Sequence, residues 1–377
     1  MKKIGLVTFF RNYNYGSILQ CYAMQSVLEE YDCQVKVLNQ SESGIYWKIR
    51  SLYMKLSFIA SSTIYPRRIT KYYKFLKESS RSCAALSPKV REAFDHFISS
   101  NIHQENVSYS QMKKDKSFYM YICGSDQVWS LSAPILNPFM FLKFAHDDKR
   151  ASYAASTGTD IIPSWYKRQI KHYLEGFRFI SVREPSVIEP LKKIGLNNIE
   201  YHIDPTLLKG TDFWINKSIK CSEIKSKNYV VLFFLNKPSV IAIEHIKGII
   251  SDSGCSIYAF PYEFEEYSYI TDKIQHINVA PEEFVRVIND AKFICTDSFH
   301  GVAFSINLYK DFYVYNREYS AGTGQNTRIE CILKRYNLIS RLILDARQNS
   351  NIIADYTVDL ESDRVKAETY LKTVLSC

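Results

Sequence analysis

The stretch ICTDSFHGVAFSI, residues 294–306, passes from a strand-like to a helix-like run through Thr296-Asp297-Ser298 and then Phe299-His300-Gly301. A short apolar run ended by polar residues reads as a buried strand. Asp297 and Ser298 are both good N-cap residues for the helix that Val302, Ala303, Phe304 and Ile306 continue. A strand that turns directly into a helix is half of a β/α unit, and a series of such units builds an open parallel sheet flanked by helices. In sheets of this kind, ligands gather outside the carboxyl ends of the strands. His300 stands at such an end.

Outward from this junction the same rhythm recurs. Residues 4–10 are an apolar run, and a loop through Asn14-Tyr15-Gly16-Ser17 follows. Ile18, Leu19, Tyr22, Ala23, Val27, Leu28 and Tyr31 then repeat at three and four, which is one helix face. Residues 34–38 complete a β-loop-α-β unit. Further strands are predicted at 118–123, 151–155, 179–182 and 199–203. Helices are predicted around 164–177 and at 185–194, the latter opening on Pro185 and ending at Gly195. The second half predicts strands at 229–235, 256–260, 293–295 and 312–315. A helix is expected at about 239–250, and another opens at Pro281 with Glu282 and Glu283 in its first turn, where the helix dipole favours acids. A charged amphipathic helix is expected at 360–375. The pattern is β/α twice over, with a boundary near 212–228.

Length and composition fit two such domains. A chain of 377 residues exceeds one ordinary core, and 46% apolar content excludes disorder. The net charge of +9 is local: residues 46–116 hold 14 Lys and Arg against 5 Asp and Glu, and the remainder balances at 34 against 34. That segment reads as a basic helical insert, suited to an anionic partner or simply to a solvated face. The nine cysteines form no C-x-x-C pair, and Cys123 and Cys295 lie in apolar runs. This usage suits a reducing, cytoplasmic setting. The start, MKKIGLVTFF, reads as a first strand, since its apolar stretch meets Arg11-Asn12 without a small-residue cleavage site.

Four strand ends carry the polar residues of a candidate site. His300 beside a helix start can hold an anion or move a proton near neutral pH, with Asp297 or Ser298 as the cap and Gly301 admitting a close backbone approach. A structural histidine tied to a helix end is the alternative. Arg183, after residues 179–182, can clamp a carboxylate or phosphate, or pair with a neighbouring acid. Arg328 is a second candidate cation. Asn14, Tyr15, Gly16 and Ser17 open the first helix without G-x-G-x-x-G or a P-loop lysine. Gly124, Ser125 and Asp126 end another strand, with Asp126 a candidate base or a helix cap. No H-E-x-x-H motif, Cys/His cluster or carboxylate triad points to a metal. Asp204-Pro205-Thr206 reads as a turn that fixes the chain.

Seven stretches together resemble the polysaccharide pyruvyltransferase family. They are IGLVTFFRNYNYGSILQCYAMQ (4–25), ICGSDQVWS (122–130), ASYAAS (151–156), ISVRE (180–184), HIDPTLL (202–208), TDSFHGVAFSI (296–306) and TRIECIL (327–333). Residues 40–117 carry none of its motifs. The resemblance implies an α/β fold of two Rossmann-like domains whose parallel sheets face across a cleft, as in GT-B glycosyltransferases. The expected domains are 1–215, with the insert at about 46–116, and 225–345. A helix within 350–377 is expected to pack back on the first domain. The resemblance also implies phosphoenolpyruvate as donor substrate, with no cofactor and no metal, and a sugar acceptor carried on a lipid. The product would be a cyclic pyruvate ketal of a capsular or exopolysaccharide. His300 and Arg183 would hold the donor, and Asp126 or Asp297 would deprotonate a hydroxyl. Peripheral contact of the insert with an anionic membrane, through Trp47, Tyr53 and Phe58, is expected, and a nucleic-acid partner is not. The same architecture serves nucleotide-sugar glycosyltransferases, which would bind a nucleoside diphosphate instead. A catalytically silent sugar- or lipid-binding protein would tolerate loss of His300.

Overall fold

The computed structural model describes residues 1–11, 13–41, 45–70, 86–133, 135–251, 253–262, 264–317, 325–348 and 358–376. Its first sheet is built from β1 (Lys2–Val7), β2 (Cys33–Gln40), β3 (Gln104–Val107), β4 (Met120–Cys123) and β5 (Arg150–Ser152). The strand order is 3-2-1-4-5 and every pairing is parallel. A short parallel pair, β6 (Ile180–Val182) and β7 (Ile199–Tyr201), continues it through bridges from Ala151 to Phe179 and from Ala155 to Val182. The second sheet contains β8 (Tyr229–Phe233), β9 (Ser256–Ala259), β10 (Ile274–His276), β11 (Phe293–Thr296), β12 (Asp311–Tyr315) and β13 (Leu342–Ile343). Its order is 10-9-8-11-12-13, again all parallel.

Both orders reverse direction once, between β1 and β4 and between β8 and β11. A reversal sends the two following connections to opposite faces of the sheet and leaves a crevice at the strands' carboxyl ends. The loops after these four strands carry Asn14–Ser17, Gly124–Asp126, Leu235–Asn236 and Asp297–His300. Topology therefore brings distant polar stretches to two crevice floors.

The two units share one continuous apolar core. Tyr15, at the start of the helix Tyr15–Glu29, stacks on Phe284 of the second unit at 4.8 Å. Its ring also meets Phe94, Phe233 and Phe260, and its hydroxyl donates to Val279 O at 2.5 Å. The helix Pro88–Asn101 belongs to this core, burying Val90, Phe94, Phe97 and Ile98, and β3 extends the first sheet. Residues 88–107 are thus part of the domain body, which corrects the insert as drawn at 46–116. Of the described part, the helix Ile45–Ile64 and the helical residues 67–70 after it remain as the departure from the β/α pattern.

Three edge strands, β3, β10 and β13, escape the apolar-run reading. QENV and IQH present polar side chains on an open edge, and β13 has only two residues. The helix Glu361–Ser376 lies against the first unit, where Tyr370 Oη donates to Ser152 O at 2.7 Å. Seven cysteines among the described residues, Cys21, Cys33, Cys123, Cys221, Cys255, Cys295 and Cys331, are free thiols.

Under the last helix sits His202, 2% exposed, with its ring 4.4 Å from that of Tyr370 and Nδ1 2.8 Å from Ser181 Oγ. Burial, helped by the charge of Lys366, pushes its pKa down to about 4. An unfolded histidine titrates near 6.5, so between those values the unfolded state binds the extra proton and folding weakens as pH falls. Wild-type protein should lose ~2 kcal/mol more stability between pH 7 and pH 5 than His202→Gln does. Denaturant titrations of both proteins at the two pH values measure this difference.

Candidate active site

The junction quoted first forms as strand, cap and helix. β11 ends at Thr296, and Ser298 Oγ accepts from Gly301 N at 3.4 Å to cap the helix Phe299–Asn307. Ser298 is therefore the cap and Asp297 is not. The Asp297 carboxylate accepts from Leu235 N at 2.7 Å and Asn236 N at 3.1 Å, and Arg317 Nε lies 3.1 Å from it. It ties the ends of β8 and β11 together. Burial raises its pKa against these partners. Both of its oxygens thus serve the loop, a strand-tying role beside the one expected of it. Gly301 also has a structural role: a Cβ there would meet Thr296 Oγ1 at 2.5 Å, so the glycine permits helix-on-strand packing.

His300 is 6% exposed and faces the first unit. A Cβ on Gly16 would lie 1.9 Å from His300 Nδ1, so only glycine allows the first helix to approach the ring. Asn14 caps that helix by accepting from Ser17 N at 3.1 Å. Ser17 Oγ donates to Asp126 Oδ2 at 2.6 Å. Tyr15 lies in the interdomain core rather than in the crevice, which corrects it as a substrate contact. Gly124 has φ +106°, and a Cβ there would come within 2.2 Å of Tyr153 O, so glycine is required.

The centre of the arrangement is Asp204, which follows β7. Its Oδ1 accepts from Thr206 N at 3.0 Å and Thr206 Oγ1 at 2.8 Å, the turn-fixing role expected of it. Its Oδ2 accepts from Arg183 Nη1 at 2.7 Å and Ser125 Oγ at 3.0 Å, and His300 Nε2 lies 3.7 Å away. Burial alone would raise this carboxyl. The adjoining His300 ring, the Arg183 charge and the Thr206 amide hold it well below the usual carboxylate range. Burial likewise opposes the charge of Arg183, but Asp204, Glu184 and Asp126 outweigh it and raise the guanidinium.

Arg183 lies 4.3 Å from the Phe299 ring centroid, and Arg328 of the helix Gln325–Arg335 lies 6.0 Å from it. Burial, then repulsion from Arg183, brings Arg328 down to about 10. With its amide oxygen turned inward, Gln127 accepts from Arg328 Nη2 at 3.1 Å. Arg183 Nη2 and His300 Nε2 are buried and make no hydrogen bond among the described residues. The void bounded by Arg183, Asp204, Phe299 and Arg328 is about 20 Å³. That is room for about one water.

Asn14, Gly16, Ser17, Gly124, Ser125, Asp126, Arg183, Ser298, His300 and Arg328 thus meet around one crevice. Asp204, Glu184, Gln127 and Phe299 join them, although their sequence signals were weak. Asp204 precedes Pro205 and looks like a cap because Oδ1 is one; nothing local announces the partners of Oδ2. No group of three His, Cys, Asp or Glu residues that would hold a metal occurs among the described residues.

A family model, polysaccharide pyruvyl transferase, matches residues 14–319. The chain belongs to that family. No curated protein matches the sequence. Among solved structures, this family member is similar to the S. aureus MnaA–UDP co-structure, with TM-score 0.50 and 10% identity over 100% of this chain and 97% of that one. It is also similar to UDP-N-acetylglucosamine 2-epimerase from Rickettsia bellii (TM-score 0.49, 11% identity, 100% and 96% covered). A third similar structure is MurG from Acinetobacter baumannii (TM-score 0.45, 8% identity, 99% and 92% covered). The fold is GT-B-like.

Replacing Asp204 with Asn leaves Arg183 buried without its principal counter-charge. Breaking such a pair from one side costs about 3–5 kcal/mol, so Asp204→Asn should lower the denaturation midpoint accordingly. An unchanged midpoint would show that Asp204 is not the keystone of this cluster.

Proposed function

We propose that this family member transfers the pyruvyl group of phosphoenolpyruvate to two hydroxyls of one sugar, forming a cyclic ketal and releasing inorganic phosphate. The observation that carries this reading is the meeting of Arg183, Arg328 and His300 at the interdomain crevice. Phosphoenolpyruvate presents a phosphate and a carboxylate, and two guanidiniums with an imidazole suit that pair of anions. Arg183 Nη2 and His300 Nε2, which lack hydrogen-bond partners, would take the donor's oxygens as the units part to admit it and close again.

In the reaction, the donor's methylene carbon gains a proton and its neighbouring carbon becomes electrophilic. One sugar hydroxyl adds there. The second hydroxyl then displaces phosphate, so two C–O bonds form and one C–O bond breaks. One hydroxyl proton balances the new methyl group and the other leaves with phosphate. His300 would relay the proton to carbon, its Nε2 lying 3.7 Å from the Asp204 carboxylate. Asp126, held by Ser17, is the carboxylate we favour to receive a hydroxyl proton. The acceptor we favour is a lipid-carried sugar of a capsular or exopolysaccharide under assembly. The family description and the basic character of residues 46–116 support that choice.

The test is phosphate release from phosphoenolpyruvate across a panel of lipid-linked and aryl glycosides, with mass analysis of the glycoside. The expected result is release that depends on one glycoside, which gains a pyruvyl group. His300→Ala should lower that turnover by about 10²–10⁴-fold with the fold intact. Ligand protection by a nucleoside diphosphate but not by phosphoenolpyruvate would overturn the reading in favour of a glycosyltransferase.

A further inference from the structure

The helix Ile45–Ile64 has two unlike sides. On the inner side Met54 and Phe58 are half-buried and Ser62 is buried. Arg68 lies 4.9 Å from the Phe58 ring centroid and 5.2 Å from that of Tyr166, and is itself only 7% exposed. Phe58 and Arg68 are therefore parts of the attachment to the domain body, which corrects Phe58 as a membrane contact. The outer side carries Ile49 at 62%, Leu52 at 58%, Tyr53 at 72%, Leu56 at 55% and Ile59 at 60% exposure. These recur at three- and four-residue steps, so they share one face. Ile64, 72% exposed, ends the helix.

A contiguous aliphatic face held in water marks an interaction surface. Its surroundings identify the partner. The helix sequence contains Lys48, Arg50 and Lys55 and no Asp or Glu. Lys55 and, beyond the helix, Arg67 are exposed. Nucleic acid would need cations across the face, where this one presents Ile and Leu. No helix among the described residues is long and apolar enough to cross a membrane. Aliphatic side chains along one face with cations beside them match a helix lying in the plane of a bilayer surface.

We propose that the outer face of Ile45–Ile64 docks on an anionic phospholipid bilayer. Ile49, Leu52, Leu56 and Ile59 would enter the acyl boundary, with Lys55 and Arg67 reaching lipid phosphates. The surface extends the lipid-carried acceptor of the proposed function, but its test requires no turnover, so the two readings fail separately.

The full chain is sedimented with phosphatidylglycerol/phosphatidylcholine vesicles and with pure phosphatidylcholine vesicles. Binding to the anionic vesicles alone is expected. The combined Leu52→Gln, Leu56→Gln, Ile59→Gln variant should reduce it by at least ~tenfold, and so should Lys55→Glu with Arg67→Glu, with circular dichroism unchanged in both. Four results would each overturn the proposal: no binding, equal binding to neutral vesicles, undiminished binding by the triple variant, or a concentration-dependent dimer that the triple variant abolishes.

Discussion

Asp204 Oδ2 receives Arg183 at 2.7 Å and Ser125 at 3.0 Å, with His300 3.7 Å away. One oxygen atom thereby links the end of β4, the end of β6, the turn after β7 and the helix that follows β11. A buried carboxylate of this kind is tolerable only while its partners stay in place, because each unpaired charge carries a large desolvation cost. The ion cluster therefore favours a single relative position of the two units. It also holds the groups that would meet an anionic donor.

The aromatic contact around Tyr15 does the complementary work. It supplies apolar burial across the same interface, where Tyr15 stacks on Phe284 of the opposite unit. Gly16, next in sequence, lets the backbone pass against His300. One short segment thus contributes packing through its tyrosine and a close approach through its glycine. Tyr15 is thus committed to packing although it adjoins the candidate site. The small void between the units follows from the same close fit.

Much of the candidate site was legible in the sequence. His300, Arg183, Asp126 and the Asn14–Ser17 loop all stand where an apolar run ends, and the carboxyl ends of parallel strands are where such sheets hold ligands. The structural ties of Asp297 and Gly301 were not legible, because their partners are backbone amides 62 and 61 residues away and a threonine side chain on the preceding strand. Edge strands β3, β10 and β13 were missed because a strand paired on one side or very short carries too few apolar residues to show a run.

By itself the sequence determined the β/α alternation, the paired sheets and the family, since each depends on local periodicity and on motifs in order. Tertiary structure alone decided which carboxylate meets Arg183 and His300. Asp204 lies 21 residues from Arg183, and it faces a histidine in the other domain. It decided as well which side of Ile45–Ile64 is open to solvent. Periodicity defines an apolar face, but only the packing of the opposite side against the domain reveals that this face has no partner within the described chain.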